Sequence, residues 1–227
     1  MKLRTLSASL VALAFLSCTN EGYETGDNGN SYVTGDFVLL HINSSKVAVS
    51  ATFDDGAEAQ MANPFSPGWS VKADTVYRAF LYYGAAKDDA AAATVPVVVK
   101  ARAVAQVPVM GAVPAAGAAQ LKDDPVGFES VWLSKNGKFV NVSLLLKSGS
   151  TELDKRHAIT LASEGVTVDA EGRQHAAFRL YHDQNGVPQY YTVQQYASFS
   201  TQGIDADVVD LHINTYEGAV VKSVALR

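Results

Sequence analysis

From Val33 to Arg227 the chain is written in short runs of β-branched and aromatic residues, punctuated by Gly, Asn, Asp and Pro. That grain specifies strands joined by tight turns, and no segment keeps a helical period long enough for a core helix. A single cysteine, Cys18, stands among 227 residues. Without a second thiol no intramolecular disulfide can form, so buried apolar side chains alone must hold the fold. A hydrophobic fraction of 48% suffices for one or two such cores.

The runs fall into two groups. Residues 38–42, 47–53, 76–83 and 95–104 predict a small barrel of four or five strands, with Asp55-Gly56 as a hairpin turn. The alanine-rich stretch 85–93 is too short for an unaided helix and reads as a loop or a single turn. Residues 111–120 carry Pro114 and Gly117 among alanines, which breaks both helix and strand and marks the domain boundary. Beyond it, seven further runs (128–133, 139–146, 157–161, 176–181, 190–199, 208–216 and 219–226) predict an antiparallel β-sandwich over 121–227, after a barrel domain over 32–112. The expected fold class is therefore all-β.

The first residues carry an address. Lys2 and Arg4 precede an apolar run over 6–16 that ends at Ser17-Cys18, the pattern of a lipoprotein signal peptide over 1–17 with Cys18 as the lipidated terminus. The run is too short to span a bilayer. Each buried acyl methylene contributes roughly 0.8 kcal/mol, so several chains would hold the protein on a membrane. Residues 18–31 are Gly, Asn, Asp, Glu and Thr with little apolar content, a flexible tether. Thr19 lacks the aspartate of inner-membrane retention, which favours the outer membrane. Loss of Lys2 and Arg4 takes the formal charge from −5 to −7. This sign, with no basic cluster, argues against nucleic acid as a partner.

Landmarks run in order along the chain: Phe53-Asp54-Asp55-Gly56, Asp123-Asp124-Pro125-Val126, Val131-Trp132, Phe139-Val140-Asn141-Val142, His157, Ile159 and Leu161, Phe178-Arg179-Leu180-Tyr181-His182, Ser198-Phe199, and Ile213-Asn214-Thr215-Tyr216-Glu217-Gly218. Taken together in this order, the set resembles the NigD-like lipoproteins of Gram-negative anaerobes. The resemblance implies an OB-type barrel followed by a C-terminal β-sandwich, and carries a suggested role in bacteriocin immunity.

No catalytic constellation emerges: there is no G-x-S-x-G, no P-loop and no cysteine besides Cys18. His157, His175 and His182 lie on or beside three predicted strands, but no HExxH, no paired cysteine and no close His-x-His spacing supports a metal; neither metal nor cofactor is expected. Asp183-Gln184-Asn185-Gly186 lacks the further acidic positions of a calcium loop and reads as a β-turn. The candidate binding residues are aromatic: Trp69, Tyr82, Tyr83, Tyr190 and Tyr191, with Tyr77 and Tyr196 beside them. Adjacent tyrosines put one ring on each face of a strand, so one of each pair should meet solvent or another domain. The expectation is a non-enzymatic envelope lipoprotein that binds an envelope or toxin protein. A glycan-binding module, with the tyrosines stacking on sugar rings, is the alternative.

Overall fold

The computed structural model describes residues 33–85, 97–149 and 155–227. The expected signal peptide and tether, Cys18 and most of the 85–93 stretch lie outside these. The first group of runs forms strands β1 (Thr34–Ile42), β2 (Ala48–Phe53), β3 (Glu58–Phe65), β4 (Thr75–Ala85) and β5 (Val97–Gln106), closed in the order β1-β2-β3-β5-β4. Alternate residues point inward, so Val38 and Leu40 of β1 and Leu81 of β4 meet at the centre, fully buried. Ile42, Met61 and Val99 join them, and Ala48, Ala51, Ala59 and Ala79 fill the rest of the interior, because a five-stranded barrel has no room for large side chains at every inward position. Strand β3 pairs parallel with β5 through residues 59–61 and 97–99.

The remaining chain forms a sandwich. β6 (Ala112–Pro114) and a 3-10 turn (Ala115–Gln120) precede β7 (Gly127–Leu133), β8 (Phe139–Ser148), β9 (Ala158–Val168), β10 (Gln174–Asp183), β11 (Tyr191–Ser200), β12 (Val208–Thr215) and β13 (Gly218–Ala225). Five strands form one sheet in the order β13-β12-β10-β9-β6, and three form the other, β11-β8-β7. Leu144 and Leu146 from the small sheet face Leu161, Leu180, Leu211 and Ile213 from the large one, all essentially without solvent contact. Each contributes roughly 1.5–3 kcal/mol by burial.

Two features depart from the sequence reading. Residues 111–120 do not break the sheet: Ala112–Pro114 pairs parallel with residues 161–163 of β9. Proline is tolerated there because it ends an edge strand, where no ladder N–H is required. The change of domain lies earlier, where the Val107 N–H donates to Arg78 O in the barrel and the Met110 N–H donates to Ser198 O in the sandwich. The large sheet is also mixed rather than antiparallel, since β10 and β12 run parallel. Between them the chain crosses to the opposite sheet to lay down β11, and a connection that returns from the other layer brings the next strand back in the same direction.

Candidate functional site at the junction of barrel and sandwich

Along β4, Ala79 and Leu81 point into the barrel, so Arg78 and Phe80 point out. Outward here does not mean into water, because this side of the barrel rests on the outer face of β7, β8 and β11. The Arg78 side chain is 0% exposed. Its guanidinium forks onto the Asp54 carboxylate, with one bond of 2.7 Å, and donates to Asn141 Oδ1 at 3.1 Å. Asn141 Oδ1 also accepts from Ser198 Oγ at 2.7 Å. The guanidinium lies 4.4 Å from the Phe139 ring centroid and 5.2 Å from that of Phe37. A planar, weakly hydrated cation that forks to a carboxylate and stacks on rings suits this buried position. Beside it Phe37 and Phe80 of the barrel meet Trp132 and Tyr196 of the sandwich, the Phe80 and Tyr196 rings stacked at 5.2 Å. Gly35 makes room for this cluster: a Cβ there would stand 2.7 Å from the Phe80 ring.

The barrel end formed by the start of β1, the end of β2 and the start of β3 opens against this junction as a cleft of about 380 Å³. Asp36, Phe53, Asp54, Asp55, Glu58 and Tyr83 line it from the barrel, and Trp132 to Lys135 from the sandwich. Four carboxylates therefore face one ammonium group. Asp54 is neutralised by Arg78 behind it, and Asp36 accepts the Tyr83 hydroxyl at 2.8 Å. Burial, then the bond to Asp36 and its charge, push the Tyr83 phenol far above its ordinary range, so it stays a proton donor. Asp55 accepts its own loop's Ala57 N–H at 2.9 Å. Among the described residues no cation is paired with Asp36, Asp55 or Glu58. Ser134 donates to Asn136 Oδ1 and accepts the Phe139 N–H, which ties it into the turn after β7. The arrangement offers recognition of positive charge against aromatic rings.

The sequence-predicted aromatics do not form one site. Tyr83 lines the cleft; Tyr82, 42% exposed, packs edge-on against Phe80 beside it; Tyr196 is part of the junction. Trp69 plugs the opposite end of the barrel, half-buried against the core, with its indole N–H buried and unpartnered among the described residues. Tyr77 there accepts the Lys72 N–H. Tyr190 and Tyr191 lie at the far end of β11, roughly 20 Å along the strand from Tyr196, and are 81% and 53% exposed.

The three histidines separate as well. His157 Nδ1 and His182 Nε2 are 3.0 Å apart in a stacked pair, with His182 buried and its Nδ1 directed at Asp124 O. Burial lowers the pKa of both. His175 sits on the outer face of the large sheet between Asp210 and Asp169, at 2.8 and 3.1 Å, and these bonds raise its pKa. Among the described residues no three potential metal-binding side chains gather. Asn185 and Gly186, both at positive φ, form a type I′ turn closed by the Val187 N–H on Gln184 O. Arg179, three residues from His182, lies on the opposite face and pairs with Glu164 at 2.7 Å.

Arg78 is the junction residue that the sequence reading missed. Its signal was a lone cation inside the aromatic strand 76–83, where burial demands a carboxylate partner. Several landmarks of the family converge on it: Asp54, Trp132, Asn141 and Ser198 all belong to the junction. A second set pins the start of β7 to the large sheet, where the Asp124 N–H donates to His182 O and Asn214 Nδ2 to Asp123 O.

Comparison with known proteins gives the same architecture. Residues 108–226 match the NigD-like C-terminal beta sandwich domain. A NigD-like immunity protein from Bacteroides caccae superposes with a TM-score of 0.60 at 18% identity, covering 83% of this chain and 91% of that one. A protein of unknown function from Bacteroides vulgatus gives 0.61 at 16% identity, covering 86% and 90%. A protein described as a candidate lipoprotein from Bacteroides fragilis gives 0.63 at 12% identity, covering 86% and 99%. At these identities the likeness is one of fold. No curated protein matches the chain in sequence.

Proposed function

The chain belongs to the NigD-like family, and from that premise we propose that it is a non-enzymatic envelope lipoprotein that binds another protein through the cleft between its two domains. The observation that carries this reading is the cleft itself, walled by both domains and lined by Asp36, Asp55 and Glu58, none of which is paired with a cation among the described residues. Such a surface gives a partner orientation and electrostatic steering. The buried Asp54–Arg78–Asn141 linkage fixes the two walls relative to each other, so little ordering is required on binding. Lys2, Arg4, the apolar run 6–16 and Cys18 support anchoring by lipid, and Thr19 favours the outer membrane. Immunity toward a bacteriocin-like toxin is the specific version implied by the resemblance of the sequence landmarks, and one similar structure is named a NigD-like immunity protein. In-cell cross-linking of the tagged full-length lipoprotein tests the reading. One enriched envelope or toxin protein is expected; no enriched partner, with the protein abundant and anchored, contradicts it.

A second reading, glycan binding, is favoured by the exposure of Tyr190 and Tyr191 at the far end of the sandwich. Exposed rings on a rigid edge stack on sugars. A thermal shift with a glycan panel, abolished by Tyr190→Ala with Tyr191→Ala, would support it, and a flat response would remove it.

A further inference from the structure

We infer that the cleft takes an arginine side chain from an extended basic segment of the partner; this rests on the proposed reading of the cleft as the binding site. Its size, about 380 Å³, lies at the lower end of the roughly 300–1,000 Å³ of small-ligand pockets, which admits side chains rather than a domain. Its charge selects among them. Asp36, Asp55 and Glu58 are not paired with a cation among the described residues, and Lys135 is the one ammonium group in the lining, so an anionic segment is repelled and an apolar one would strip water from carboxylates without compensation. The walls add rings: Phe53 and Tyr83, with centroids 5.2 Å apart, line the cleft together with Trp132.

Carboxylates beside aromatic faces suit a guanidinium better than an ammonium ion, because the planar fork can bond two oxygens while its face stacks. The molecule contains this solution already: Arg78 forks onto Asp54 between the rings of Phe37 and Phe139. Asp54 belongs to both places: Arg78 bonds both of its carboxylate oxygens, and the residue lines the cleft. Asp55 and Glu58 lie in and just after the β2–β3 turn, both exposed, where an incoming fork can reach them.

The experiment titrates the full-length protein in nonionic detergent with hexa-arginine, hexalysine and hexaglutamate peptides, by calorimetry and tryptophan fluorescence. Hexa-arginine should bind saturably and at least tenfold more tightly than hexalysine, and weaken with salt; hexaglutamate should not bind. Asp55→Asn with Glu58→Gln should weaken hexa-arginine at least tenfold while leaving the unfolding temperature unchanged, since both residues are exposed and an amide oxygen in place of the Asp55 carboxylate can still accept the Ala57 N–H. Absence of hexa-arginine binding, equal affinity for hexalysine, or binding indifferent to the double variant would overturn the inference. The in-cell cross-linking separates the two levels. A partner still captured undiminished by the double variant leaves the protein-binding reading standing and removes the arginine, whereas no capture by the parent protein removes the reading itself.

Discussion

Replacing Arg78 by Met tests the claim that one buried cation joins barrel to sandwich. Methionine keeps an apolar stem against Phe37 and Phe139 but leaves the Asp54 carboxylate, whose side chain is 14% exposed, facing the interface without its counter-ion. Removing one member of a buried pair costs about 3–5 kcal/mol, against a total stability of about 5–15 kcal/mol for a folded protein. For a chain of this size that corresponds to a fall of roughly 6–20 °C in Tm. Urea unfolding followed by tryptophan fluorescence reads the loss. Adding Asp54→Asn should recover most of it, because the stranded charge is then gone and only lost bonds and packing remain. A loss below about 1 kcal/mol, as for an exposed pair, or a double variant whose loss equals the sum of the two singles, would refute the reasoning.

Three further outcomes follow, two from the same structure and one from the sequence. Burial holds His157 and His182 below the ordinary 6.5, so the unfolded chain takes protons first; their contribution to stability is complete above pH 6.5 and is lost as pH falls, by at most ~1.4 kcal/mol per pH unit per proton. His175 has the opposite sign, since its bonds to Asp210 and Asp169 raise it and its contribution is lost as pH rises past its folded value; NMR titration should find His157 and His182 below 6.5 and His175 above, and the reverse order would contradict the assignment. Gly35→Val should push the Phe80 ring off Tyr196 and destabilise by about 1–3 kcal/mol in chemical unfolding, with no change expected if the ring has free space. Cys18→Ser should release the protein from membranes on fractionation, and persistence in the membrane pellet would contradict lipidation at that residue.

Much of the fold was legible because it is written in period two. The run 139–146 alternates Val140, Val142, Leu144 and Leu146 toward the core, and no helix can satisfy that spacing. Strand β3 was not legible: its inward positions are Ala59 and Met61, its outward ones Glu58 and Gln60, and Pro64 stands near its end, so neither β-branching nor apolar contrast announces it. The parallel pairing of β10 with β12 was hidden as well, because periodicity gives a strand's faces and not its neighbours. Of the aromatic pairs, Tyr82 is exposed while Tyr83 packs against the barrel core, whereas Tyr190 precedes β11 and both it and Tyr191 are exposed; the sequence held no information on how far apart the folded chain would carry the pairs. Arg78 escaped because motifs reveal groups able to react, whereas this cation is buried to join two domains. Asp54 and Asn141 stood among the family landmarks, and only the fold revealed that they touch the same guanidinium.

Whether the proposed protein-binding surface is the junction cleft, and not the far end of the sandwich, is decided by a photo-crosslinking residue placed in the otherwise intact full-length protein in cells. One variant carries it at Ala57, on the cleft rim, and another at Tyr190, at the far end. A single captured protein is expected at Ala57 and none at Tyr190. Capture at Tyr190 with none at Ala57 would contradict the assignment of the cleft as the binding site.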